Sequence, residues 1–134
     1  MVDVLAMDHI VLRVSDVERS LNWYTDMLGL TPVRADEWRN GECPFPSVRV
    51  SVDTIIDLID GEVDHNARNL DHFCMVVSAE SMDEVRRSAD FDIVRDPDFA
   101  LFGARGMADG LYIRDPDGNE IELRAYSGAQ PMLR

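Results

Sequence analysis

Lysine is absent from this chain of 134 residues, so apart from histidine every basic side chain is an arginine. With 13 of these against 26 acidic groups the net charge is −13, which repels a phosphate backbone, and no local basic patch overrides that repulsion. No nucleic-acid partner is expected. Only two cysteines occur, Cys43 among prolines and Cys74 inside an apolar run, which is too few for a disulfide framework. Reduced thiols are expected. No apolar run approaches the roughly 20 residues that a membrane helix needs, and the stretch from Met1 to Asp8 lacks the basic flank and apolar core of a secretory signal. The expectation is therefore a cytoplasmic protein with no membrane partner. The length suits one compact domain over residues 1–134.

What is present is an internal repeat. Asp8-His9-Ile10-Val11-Leu12-Arg13-Val14-Ser15 recurs 63 residues later as Asp71-His72-Phe73-Cys74-Met75-Val76-Val77-Ser78, and each copy reads as a strand. A helix signal follows each. In the first half Ser15 and Glu18 have capping-box spacing, and Val17, Leu21, Tyr24 and Leu28 keep a helical period until Gly29. In the second half Ser78 caps a segment containing Met82, Val85 and Ala89. Short strand-like stretches then follow, Leu30 to Val33, Val48 to Val52 and Thr54 to Ile59 in the first half, and Ile93 to Arg95, Gly110 to Arg114 and Glu120 to Tyr126 in the second. The fold class is α+β, built as βαβββ twice. Module one runs from about 7 to 60, a polar linker from 61 to 69, and module two from about 70 to 126.

Period-two alternation divides each strand into two faces. Ile10, Leu12 and Val14 form a helix-facing side that leaves His9, Val11 and Arg13 opposite, and Phe73, Met75 and Val77 leave His72, Cys74 and Val76. In the last hairpin the turn Asp115-Pro116-Asp117-Gly118-Asn119 sets Ile113 against Ile121 and Leu111 against Leu123, with Tyr112 meeting Glu122 on the other face. Asp57 lands on the corresponding face of module one.

Two of the three histidines thus hold equivalent places, and Ile56-Asp57-Leu58 and Ile121-Glu122-Leu123 put a carboxylate equivalently near the end of each module. A histidine at a strand start is commonly structural; it is the repetition that points to a ligand pair. Two imidazoles and two carboxylates suit one divalent transition metal among Zn, Ni, Co, Mn and Fe(II). An inward Asp57 or Glu122 needs such an ion, an arginine such as Arg13 or Arg49, or a watery cavity.

The run from Leu12 to Leu30, with Asp16-Val17-Glu18-Arg19-Ser20-Leu21-Asn22-Trp23-Tyr24 at its centre, resembles the opening of bacterial glyoxalase I. Arg114-Asp115-Pro116-Asp117-Gly118-Asn119-Glu120-Ile121-Glu122-Leu123 resembles the closing hairpin of the wider vicinal oxygen chelate superfamily, which also holds extradiol dioxygenases and bleomycin-resistance proteins. With the repeat, the likeness covers residues 7 to 126. It implies two βαβββ modules curled into a half-open barrel around one metal, a homodimer, and ligand roles for His9, His72 and Glu122. The remaining ligand position is glutamate in glyoxalase I and Asp57 here, one methylene shorter.

The activity implied is metal-assisted proton transfer on a small substrate with adjacent oxygens, through an enediolate, as in lyases and epimerases of this family. Glu122 is the first candidate for the base and Asp57 the second. Tyr112 and Arg13 are candidate substrate contacts, Arg13 being equally suited to a salt bridge. Trp23, Trp38, Phe45 and Phe99 are candidate pocket walls, Cys74 a small buried hydrophobe, and Gly103-Ala104-Arg105-Gly106 a flexible loop. Two alternatives stay open: Fe(II) extradiol cleavage of a catechol, and metal-free sequestration of a drug or metabolite.

Overall fold

In the computed structural model, which describes residues 1–127, the repeat is realised as two compact units that divide between Asp64 and His65. Residues 128 to 134, the end of the expected domain, lie outside the described residues.

The first unit contains β1 (His9–Val14), α1 (Val17–Leu28), β2 (Thr31–Val33), α2 (Ala35–Arg39), β3 (Ser47–Arg49) and β4 (Ile55–Asp60). Its sheet has the order β1-β4-β3-β2, with β1 and β4 parallel and the other pairs antiparallel. The first strand of the module therefore lies beside its last. Leu12, Val14, Val48, Ile56 and Leu58 are buried on one side of this sheet, and Leu21 and Tyr24 of α1 are buried with them. Val11 and Arg13 remain exposed, as the alternation requires.

Helix α1 starts one residue later than the Ser15 capping box predicts. Asp16 is the cap, with an extended backbone and a carboxylate that accepts the Arg19 N–H at 3.0 Å. An aspartate there satisfies an orphan donor and also places negative charge at the positive end of the helix dipole. Ser15 instead accepts a hydrogen bond from the Arg19 guanidinium at 2.9 Å. Gly29 closes the helix in the left-handed region at φ 68°, its N–H donating to the Tyr24 carbonyl. The five-residue α2 is an addition to the expected pattern, too short and polar to display a period.

The second unit contains β5 (Phe73–Val76), α3 (Ala79–Arg87), β6 (Asp92–Arg95), β7 (Leu101–Gly103), β8 (Gly106–Arg114) and β9 (Glu120–Ala125). The strand order β5-β9-β8-β6 repeats that of the first sheet, with β5 and β9 parallel. Ser78 caps α3 as expected, accepting the Ser81 N–H at 3.1 Å. The closing hairpin has the predicted register: Ile113 faces Ile121, Leu111 faces Leu123, and Tyr112 faces Glu122. Asp115 organises its turn by accepting the N–H groups of Asp117 at 3.0 Å and Asn119 at 2.8 Å. The stretch Gly103-Ala104-Arg105-Gly106 differs from expectation. It is a tight hairpin turn joining β7 to β8, with Gly103 paired to Gly106, and neighbouring prolines and aspartates had hidden the short β7.

If Asp16 is the cap, Asp16→Ala lowers stability by about 1 kcal/mol and Ser15→Ala by clearly less. Chemical denaturation of the two variants checks this, and the reverse ranking would restore the capping box.

Candidate functional site

In the first unit the parallel register sets Val11 beside Asp57, so His9, two residues before Val11, shares that face with the carboxylate. His9 Nδ1 lies 2.6 Å from Asp8 Oδ1, and its Nε2 points the other way, 3.8 Å from Asp57 Oδ2. Asp57 is buried, 6% exposed, and its Oδ1 accepts the hydroxyl of Ser47, its cross-strand neighbour on β3, at 2.6 Å. One carboxylate oxygen is thus anchored and the other faces the imidazole. The hydrogen bond to Asp8, and after it the charge of Asp57, hold the His9 imidazolium above the usual histidine range.

The second unit repeats this arrangement with different anchors. His72 Nδ1 lies 2.7 Å from Asp71 Oδ2, and Nε2 is 3.4 Å from Glu122 Oε1. The hydrogen bond to His72 holds Asp71 below the ordinary carboxylate range. Glu122 is 5% exposed, and its Oε2 accepts the thiol of Cys74 at 3.3 Å and lies 3.6 Å from Arg124 Nε. Cys74 is the cross-strand neighbour of Glu122 on β5, the place that Val11 holds beside Asp57. Cys74 is exposed, not the buried hydrophobe expected, but partial desolvation of its sulfur, with the charge and hydrogen bond of Glu122, pushes the thiol up to about 12, so it donates rather than attacks. Tyr112, paired to Glu122 from the other side on β8, sets its ring edge against His72 with centroids 5.2 Å apart. Burial first, and then Glu122, keep its phenol protonated above the usual range.

Arg124, Asp8, Asp71 and Ser47 are the residues that sequence reasoning missed. The two aspartates stood in plain view inside the repeated Asp-His pair. Arg124 lies two residues beyond Glu122 on the same face, 4% exposed, with its Nη2 donating to the Leu101 carbonyl and its Nε without a hydrogen-bond partner. Gly103 makes room for it, since a Cβ there would collide with the guanidinium. Arg13 is exposed, its stem resting against Gly61, with no ion pair among the described residues. Arg49 donates to the carbonyls of Ser51 and Val52, away from Asp57. Of the candidate wall aromatics, Trp23 packs edge-on against Tyr24, Phe45 lies under the Arg34 guanidinium, and Phe99 borders a cleft with Arg95, Leu101 and Tyr112.

Each unit by itself offers two donors, and among the described residues no group of three or more histidine, cysteine, aspartate or glutamate side chains is assembled for a metal ion. The chemistry of the pairs nevertheless fits one. A histidine ligand ordinarily donates its second ring nitrogen to a carboxylate, which fixes the tautomer and aims the first nitrogen at the ion. Asp8 and Asp71 stand in that relation to His9 and His72, and each Nε2 faces a carboxylate oxygen, Asp57 Oδ2 at 3.8 Å and Glu122 Oε1 at 3.4 Å.

The family model for the glyoxalase/bleomycin resistance protein/dioxygenase superfamily matches residues 6–123. A probable lactoylglutathione lyase from Synechocystis sp. is 28% identical over 123 residues, covering 86% of this chain and 91% of that protein. Among solved structures, an integron cassette protein from V. cholerae superposes with a TM-score of 0.71 at 26% identity, covering 95% of this chain and 99% of that one. A lactoylglutathione lyase from Agrobacterium tumefaciens does so with a TM-score of 0.61 at 20% identity, over 90% and 92% of the two chains, a likeness of fold alone.

The surroundings of Cys74 predict a slow thiol. In a Cys43→Ser background, labelling by an aromatic disulfide reagent should stay slow at pH 8 and rise only toward pH 12, and Glu122→Gln should bring the midpoint down. A labelling midpoint near the ordinary thiol value of about 8.5 would contradict the described contacts.

Proposed function

This chain belongs to the glyoxalase/bleomycin resistance protein/dioxygenase superfamily, and on that footing we propose that it is a metal-dependent enzyme of the lyase or epimerase type, moving a proton on a small substrate with adjacent oxygens. The observation that carries this reading is the duplicated arrangement of aspartate, histidine and buried carboxylate, Asp8-His9-Asp57 in one unit and Asp71-His72-Glu122 in the other. The lyase named among the relatives supports the reaction class.

The residues that would hold a divalent transition metal are His9, His72 and Glu122, with Asp57 as the fourth. Bound there, the ion would polarise a substrate carbonyl and favour loss of the neighbouring proton. The chain's own residues do the rest. Asp8 and Asp71 fix the imidazoles with Nε2 outward. Ser47 holds Oδ1 of Asp57, and Cys74 holds Oε2 of Glu122. The oxygen that faces the imidazole, Oδ2 or Oε1, would then be the one to ligate or to take a proton. Glu122 is the first candidate for the base, since its side chain is one methylene longer than that of Asp57 and reaches farther. Tyr112, with its phenol protonated beside Glu122, can donate to a substrate oxygen. Arg13, exposed and unpaired among the described residues, would meet an anionic part of the substrate. The working form is a cytoplasmic homodimer, and light scattering at micromolar concentration tests the dimer.

Untagged protein stripped with chelator and titrated with Zn, Ni, Co, Mn or Fe(II) should take up one ion per chain. His72→Ala should lose the ion while the chain stays folded, and Asp71→Asn should weaken binding about 10- to 100-fold, the usual effect of removing a partner behind a ligand. Unchanged affinity in both variants would overturn the ligand assignment. Glu122→Gln should abolish solvent-proton exchange of an α-hydroxycarbonyl substrate even in preparations that retain metal. Oxygen uptake with a catechol, without that exchange, would replace this reaction by ring cleavage.

A further inference from the structure

Beside Tyr112 the second unit has a cleft of about 470 Å³, lined by Arg95, Asp96, Pro97, Phe99, Leu101 and Tyr112. That volume lies in the range of small-molecule sites. Its wall is mostly apolar, and Phe99 at its border is 66% exposed, so its ring is accessible to a ligand. At its edge the Arg95 guanidinium stacks on the Tyr112 ring, Cζ 3.9 Å from the centroid. Stacking uses the face of the guanidinium and leaves its N–H groups free in the plane. The Arg95 guanidinium makes no hydrogen bond among the described residues. The nearest carboxylate, Glu120, stays 3.8 Å from its Nη2 and is shared with Arg68 at 3.5 Å and Arg114 at 4.0 Å. Asp96, the acid in the lining, is already held by Arg86 at 3.0 Å. Asp71 feels the charge of Arg95, but its hydrogen bond is to His72. A cation with unused donors therefore borders an apolar cleft, in a chain whose net charge is −13.

We propose that this cleft is a specificity subsite for the substrate's tail, an aromatic or alkyl group that ends in a carboxylate. Arg95 receives the acid in its plane of N–H groups, Phe99, Leu101 and Pro97 cover the apolar part, and Tyr112, which lines the cleft and contacts His72, adjoins both this tail and the reacting end at His72 and Glu122. Bidentate hydrogen bonding to a carboxylate is what a stacked guanidinium is preset to provide. The inference rests on the proposed reaction site only for saying which end of the substrate reacts; the cleft itself needs no metal.

The test is a titration of isotope-labelled, metal-free protein with 3-phenylpropionate, 3-phenylpropionamide and propionate, followed by amide chemical shifts. The acid should bind about tenfold more tightly than its uncharged amide, a charge-assisted hydrogen bond's share, with shifts centred on Arg95, Phe99 and Leu101. Arg95→Gln should erase the preference for acid over amide. Phe99→Ala should weaken acid and amide alike and leave propionate, which has no ring, unchanged. His72→Ala should leave all of these affinities as they are, which separates this inference from the metal assignment. Equal binding of acid and amide in the wild type, a preference that survives Arg95→Gln, or shifts centred away from the cleft would each overturn it, even if the metal binds as proposed.

Discussion

A histidine held between two acids is the constraint around which each unit is arranged. The acid before it in sequence fixes one ring nitrogen, and the acid across the sheet lies buried, a position that is costly for a carboxylate without a cation, a donor or an ion nearby. Parallel pairing of the first and last strands of the module brings the two together, β1 with β4 and β5 with β9. Had either pair slipped by one residue, the carboxylate would have turned into the helix-facing core among Ile56 and Leu58, or Ile121 and Leu123. The apolar register that builds the core is also what builds the site.

The two units meet the same electrostatic demand with different chemistry. Asp57 is satisfied by a neutral hydroxyl, from Ser47, whereas Glu122 has a thiol and a buried guanidinium at its second oxygen. That asymmetry gives Glu122 a permanent countercharge. It also ties the carboxylate to the β7–β8 hairpin, because Arg124 reaches the Leu101 carbonyl through the space that Gly103 leaves open. Leu101 in turn lines the cleft beside Tyr112, so the carboxylate and the apolar wall share one structural support.

Having arginine as its only strong base shapes the surroundings of this cleft. Arg86 reaches Asp96 and Asp109 together, at 3.0 and 2.7 Å, linking α3 to β8 and to the segment after β6. Such exposed pairs contribute little individually. A fork-shaped cation that bridges two acids still restricts their geometry more than a point charge would. Glu120 draws three arginines toward one carboxylate, and of these only Arg95 has its guanidinium laid over an aromatic ring of the cleft.

Much of this was legible in the chain itself. The repeated Asp-His pair, the alternation along the strands and the Asp-Pro-Asp-Gly-Asn turn determined two βαβββ modules, the hairpin register and the face that carries His9, His72, Asp57, Glu122 and Tyr112, because these depend on local periodicity and turn chemistry. The helix cap was misplaced by one residue because serine and aspartate stand side by side and both are good caps. Strand β7 and helix α2 went unseen because three and five residues are too few to show a period. Sequence could not reveal that the first strand of each module pairs with the last, that Ser47 and Cys74 anchor the carboxylates, or that Arg124 and Arg95 stand beside Glu122 and Tyr112. Except for Arg124 and Glu122, which are two residues apart on one strand, those contacts join residues on different strands, and only the packing of the sheets decides which side chains end up as neighbours.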